Sequence, residues 1–164
     1  GWSFDINEAG SVNTWGVFDT SGGIEPVSFQ SLALGTPNNG TQGMENSYAE
    51  TPSVDTTDGG QLIFRTFVSN ETGIWDQESL WMSNDDGLTW ELLLDTAGWD
   101  ALPQQQWAQV TVDVPPGSET TLFQFRLDTV DSIGGNPTDI VGWYLDDVVF
   151  LGPAPDACEP EEEP

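Results

Sequence analysis

Residues 107–114, WAQVTVDV, alternate strictly: Ala108, Val110, Val112 and Val114 fall on one side, and Trp107, Gln109, Thr111 and Asp113 on the other. A period of two puts successive side chains on opposite faces of a strand, so this run predicts a half-buried β-strand. TLFQFRLDTV (121–130) repeats the pattern, with Phe123, Phe125 and Leu127 inward against Gln124, Arg126 and Asp128. QLIFRTFVS (61–69) follows the turn residues Asp58, Gly59 and Gly60 and reads as another strand. ESLWMSN (78–84) runs into DDGLTW, an Asp-Gly hairpin signal, and the chain continues as TWELLLD. VGWYLDDVVF (141–150) is the last strand, and weaker ones are expected near 2–6, 14–18, 29–34 and 47–50. No run of a dozen residues carries a convincing helical period. Short strands separated by Gly-, Pro- and Asn-rich turns predict an all-β, two-sheet antiparallel sandwich.

The chain's 164 residues suit one domain with one core. From Gly152 the composition shifts: GPAPDACEPEEEP carries four prolines and five acids in thirteen residues, the signature of a stiff, solvated linker. The expected organisation is therefore a globular unit over 1–152 and a Pro/Glu-rich linker or tail over 153–164, leading to further domains of the same parent chain or to a surface anchor. Opening on GWSFD without an initiator Met, the sequence reads as a mature or excised piece. Cys158, the one cysteine, lies in that tail, so no internal disulfide is possible. The loops Thr36–Glu45 and Val130–Ile140 are long enough to carry binding surfaces.

Charge narrows the partners. Twenty-eight acids face two arginines, with no Lys and no His, for a formal charge of −26. Nucleic acids, which are held through Lys and Arg, are excluded as partners, and so is insertion into or adhesion to an anionic membrane. Self-repulsion on this scale is relieved by salt, which fits a saline or calcium-rich extracellular medium and a halophilic or marine source. Arg65 and Arg126 both fall mid-strand, where a guanidinium can fork onto a neighbouring strand's carboxylate. The acceptor patterns NGT at Asn39 and NET at Asn70 are read as chance matches.

The same census limits chemistry. Without His or Lys, a Ser-His-Asp triad cannot be assembled, and the usual His/Cys zinc sites are excluded as well. A carboxylate pair is the remaining catalytic option, with Glu78 and Glu91 as the strand acids for a glycoside hydrolase. The chain is expected not to be an enzyme.

Two motifs resemble a known family. Ser83-Asn84-Asp85-Asp86-Gly87-Leu88-Thr89-Trp90 is similar to an S-x-D-G-G-x-T-W hairpin, with Asp86 replacing the first Gly, and Gly142-Trp143-Tyr144-Leu145-Asp146-Asp147-Val148 is similar to a closing G-W-Y-I-D-D-V strand. Together they resemble the MAM-like jelly-roll domains appended to bacterial secreted proteins, including the C-terminal modules of immune-inhibitor-A-type metallopeptidases. The resemblance implies a noncatalytic jelly roll with Trp90 and Trp143 in the core. It also implies a structural Ca2+ joining the closing Asp146 and Asp147 to an acid from early in the chain. Asp5, Glu8 and Glu45 are the candidates by chain position, since calcium takes six to eight oxygens from separate segments. Asp131, Asn136 and Asp139, like Asp85 and Asp86, are read as turn residues.

The expected role is a secreted or cell-surface module that binds a glycan or another surface partner. Trp75 and Trp99, in loops flanked by acids and amides, are the candidates for stacking on a sugar ring. The alternative is a spacer or assembly domain of an acidic surface protein, with no ligand beyond cations.

Overall fold

A computed structural model describes residues 1–9, 11, 13, 15–19, 32–37, 45–69, 76–129 and 142–153. Ten strands and one short helix follow in order. They are β1 (Ser3–Ile6), β2 (Gly16–Asp19), β3 (Leu32–Pro37), β4 (Asn46–Glu50), β5 (Gly60–Ser69), β6 (Asp76–Ser83), β7 (Glu91–Leu94), α1 (Thr96–Asp100), β8 (Trp107–Val114), β9 (Leu122–Thr129) and β10 (Gly142–Leu151). They form two five-stranded antiparallel sheets, one ordered β1-β4-β9-β6-β7 and the other β2-β3-β10-β5-β8. The strand pairing never follows chain order for long, as a jelly roll requires. The two-sheet sandwich expected from the alternation is the fold.

The core lies between the sheets. Phe123, Phe125 and Leu127 of β9 meet Leu62, Phe64 and Val68 of β5 and Trp143 and Leu145 of β10. Each such side chain contributes about 1.5–3 kcal/mol on leaving water. Phe64 stands edge-on to Phe125 at 5.1 Å, and Trp143 edge-on to Trp99 at 4.8 Å and to Trp15 at 5.1 Å. Trp143 places its indole N–H 2.9 Å from the Thr66 hydroxyl, which in turn donates to the Tyr144 carbonyl. The core therefore has few free polar atoms along its central strand pair.

Helix α1 was not expected. Asp95 caps it, its carboxylate accepting from the Gly98 amide at 3.0 Å, and the single turn drives Trp99 into the core. Gly98 fits because a Cβ there would meet Leu94.

The adjacent acids of the last strand mark a phase change. Asp146 pairs with Arg65, but Val149 pairs with Ile63, so β10 spends one residue more than β5 between the two points. That is a β-bulge. Asp147 sits at φ +52, in the left-handed region that Asp tolerates better than most residues. Before the bulge Trp143 and Leu145 point inward; after it Val148 and Phe150 pack on the core and Val149 and Leu151 are exposed.

Candidate functional site

The outward-facing residues of the β1-β4-β9-β6-β7 sheet line a groove of about 900 Å³. The same alternation that builds the core supplies them. On β9, Leu122, Gln124, Arg126 and Asp128 face out between the buried phenylalanines. On β4, Asn46, Tyr48 and Glu50 do so, and on β6, Gln77, Ser79 and Trp81. Register sets them side by side: Tyr48 lies opposite Arg126, and Arg126 opposite Ser79.

Arg126 is the centre of the groove. Its guanidinium carbon lies 4.7 Å from the Trp81 ring centroid and 4.9 Å from that of Trp90, within cation–π range of both. Its Nε donates to Gln124 Oε1 at 2.8 Å, Gln124 Nε2 donates to Glu50 Oε2 at 2.8 Å, and Ser3 Oγ donates to Glu50 Oε1 at 3.2 Å. A polar relay thus runs from Arg126 across β9, β4 and β1, away from the strands that carry the aromatic rings. Burial works against the guanidinium's charge, and Tyr48 and Glu50 partly restore it. The Tyr48 hydroxyl is pushed up by desolvation and by the carboxylates of Asp5 and Glu50. At the other end Asn46 Nδ2 donates to Asp128 Oδ2 at 3.0 Å, and the Asp128 carboxyl is pushed up by desolvation and by nearby Glu8.

The β6–β7 hairpin presents Trp90. Asp85 accepts from the Thr89 hydroxyl at 2.6 Å, the Thr89 amide at 2.8 Å and the Ser83 hydroxyl at 2.8 Å, which hold its carboxyl below the usual range. Asp86 at φ +57 and Gly87 at φ +84 turn the chain, and the Trp90 indole N–H donates to the Gly87 carbonyl at 3.1 Å. The Trp81 indole N–H donates to Ser79 Oγ at 2.8 Å. Both rings are therefore fixed in orientation before any ligand arrives.

The expected site residues fare differently. Trp99 is a correction: it is 0% exposed, packed against Phe64 and Trp143, and has no face to offer a sugar. Trp75 lies outside the described residues, as do Asn39, Asn70, Asp131, Asn136, Asp139 and Cys158. Trp90, expected in the core, is half-buried at the groove, whereas Trp143 is a core residue as expected.

The closing pair and the three candidate acids for completing its cation site are spread over both sheets. Asp5 is paired in register with Tyr48, Glu8 makes itself felt at Asp128, and buried Glu45 accepts the Ser47 hydroxyl, all on the β1-β4-β9 side. Asp146 and Asp147 stand on β10 of the other sheet. Among the described residues no three Asp, Glu, His or Cys side chains gather into a metal-holding group. Asp146 Oδ1 accepts from the Asp147 amide at 2.8 Å, while its Oδ2 is buried without a partner.

Glu78 is 2% exposed and Glu91 is exposed, and neither lines the groove. Arg65 lies over Trp107 at 5.8 Å on the opposite sheet.

No family model matches the chain, and no curated protein matches it. Solved structures do. The K1 cleaved adhesin domain of Lys-gingipain from Porphyromonas gingivalis W83 superposes with a TM-score of 0.52 and 21% identity, over 94% of this chain and 99% of that one. The fold is shared. TmCBM61, solved with β-1,4-galactotriose, gives a TM-score of 0.56 at 9% identity, over 93% of this chain and 88% of its own. A structure of carbohydrate-binding modules from the β-sandwich superfamily gives 0.51 at 16% identity, over 92% of this chain and 56% of that one. The similar structures are thus jelly-roll sandwiches of the adhesin and carbohydrate-binding kinds. Among the described residues no helix is long and apolar enough to cross a membrane.

Proposed function

We propose that this chain is a noncatalytic, extracellular glycan-binding module, and that the groove over β4, β9, β6 and β7 is its binding face. The observation that carries this is the pair Trp81 and Trp90, both within cation–π range of Arg126 in a groove lined mostly by amides, hydroxyls and carboxylates. Apolar ring faces with polar groups close by suit a sugar, whose C–H face stacks and whose hydroxyls hydrogen-bond. Solved sandwiches of the same fold whose names include carbohydrate-binding modules and adhesins support the class. The MAM-like kinship implied by the two sequence motifs, the linker role of 153–164 and attachment to further domains are parts of the same proposal.

A glycan array followed by calorimetric titration tests it. The unmodified chain is expected to bind at least one oligosaccharide, and Trp81→Ala or Trp90→Ala to weaken that binding about 10- to 100-fold, as loss of an anchoring aromatic does. Silence across the array would favour the spacer or assembly role instead.

A structural Ca2+ at the closing pair is a secondary proposal, favoured by the orphaned Oδ2 of Asp146 at the bulge. Asp146 and Asp147 would hold it, and the ion would neutralise two adjacent carboxylates. A chelator at moderate salt should then lower the melting temperature, since a ligand bound only by the native state stabilises it. Superimposable melts with and without chelator, on protein shown to be metal-free, count against the ion.

A further inference from the structure

We propose that the groove accepts uncharged oligosaccharides and discriminates against uronate- or sulfate-bearing ones, with Arg126 positioning the two indoles rather than receiving an anion. This rests on the glycan-binding proposal and adds the ligand class. A guanidinium at the centre of a sugar groove would ordinarily suggest an acidic glycan. Its surroundings argue otherwise. Arg126 is within 4.9 Å of both indole centroids, and its Nε is already donated to Gln124. Through Gln124 it is coupled to Glu50, which also contributes to its field. Its charge is thus answered from within the protein.

The groove adds four carboxylates, Glu50, Asp86, Asp95 and Asp128, to that one guanidinium. They stand within a chain of formal charge −26. Any acidic sugar reaching the indoles must come close to several like charges, and the single opposing charge is half-buried and within cation–π range of both rings. Hydroxyls meet no such cost, because carboxylates and amide oxygens accept from them. The arrangement selects by repulsion as much as by attraction. The indole pair keeps its ring–ring spacing because the guanidinium sits against both, which makes Arg126 a positioning residue for the stacking platform.

The test uses the full chain and a set of neutral gluco-, galacto-, manno- and xylo-oligosaccharides, each beside its uronate or sulfate-ester counterpart. Affinities are measured at about 0.05 M and about 1 M salt, where screening lengths fall from over 10 Å to about 3 Å. The expected result is that the neutral sugar binds nearly independently of salt. Its acidic counterpart should be at least about tenfold weaker at low salt, with the gap narrowing several-fold at high salt. An acidic glycan bound as tightly as its neutral partner overturns the proposal while leaving the groove as the binding face. Arg126→Gln is expected to weaken neutral and acidic sugars alike, about three- to tenfold, and to change the near-ultraviolet dichroism of the tryptophans. A loss confined to acidic sugars would make Arg126 an anion receptor, and the proposal falls. Binding of the neutral sugar that survives Trp81→Ala undercut by nothing else would move the site off this groove and remove both readings together.

Discussion

Strand β9 shows two proteins in one. Its inward residues, Phe123, Phe125 and Leu127, are buried in an apolar core, while its outward residues, Gln124, Arg126 and Asp128, form the floor of a polar groove. The two sets alternate residue by residue, so they share one backbone and one set of ladder hydrogen bonds. What differs is the surroundings. Inward positions are held by shape and by loss of water; outward positions are held by a chain of directed contacts from Trp90 through Arg126 and Gln124 to Glu50. Stability and recognition should therefore separate cleanly by parity on this strand.

The strongest way to break that separation is at Phe125. Phe125→Ala is expected to cost about 3–5 kcal/mol, and about 8–15 °C in Tm for a chain of this size, while the remaining folded protein keeps its glycan affinity. Thermal melts and titration below the transition read both quantities. Trp81→Ala, its outward counterpart on β6, should lose binding yet shift Tm by no more than a few degrees, because the ring is only half-buried. Comparable losses of stability in both variants would mean that the groove floor is part of the core.

Asp128→Asn sharpens the comparison through pH. In the folded state this carboxyl is pushed up by desolvation and then by Glu8, so its ionised form disfavours folding. That cost is fully present above the folded pKa and fades as pH falls through it toward the ordinary Asp value near about 3.9. The variant should therefore melt higher at neutral pH, and the two curves should converge as pH approaches about 4. An equal or lower Tm at pH 7 would show that the Asn46 contact outweighs the electrostatic penalty. The smallest expected effect is at Asp86→Gly, which places glycine at φ +57 and should raise Tm by at most about 3 °C, with Asp86→Val lowering it by more.

Much of the core was legible and little of the site was. The inward set of β8 and β9 follows from strict alternation, and the structure buries Val110, Val114, Phe123, Phe125 and Leu127 accordingly. The outward set of β9 follows from the same pattern. What alternation does not carry is which strands lie beside it, and the groove depends on that: Trp81 and Tyr48 reach Arg126 only through the β6-β9-β4 order. Trp81 was also masked by its neighbours, since Leu80, Trp81 and Met82 form a continuous apolar run with no visible parity. Trp99 was misjudged because flanking acids and a Gly resemble a surface loop. The capping Asp95 was the signal that one helical turn could carry the ring inward.

The bulge at the end of the chain has a consequence for how this sequence can change. One supernumerary residue stands at Asp147, and the apolar tail of β10 stays in phase with the core only because the bulge absorbs it. Replacing that residue by glycine or asparagine leaves the tally intact, and the strand end stays seated. Flattening the bulge while keeping the residue would rotate Phe150 into solvent and bring Val149 and Leu151 inward, whereas deleting Asp147 would restore plain alternation and leave Phe150 where it is. At this spot the molecule tolerates a shorter strand better than a β-branched letter that refuses the left-handed turn.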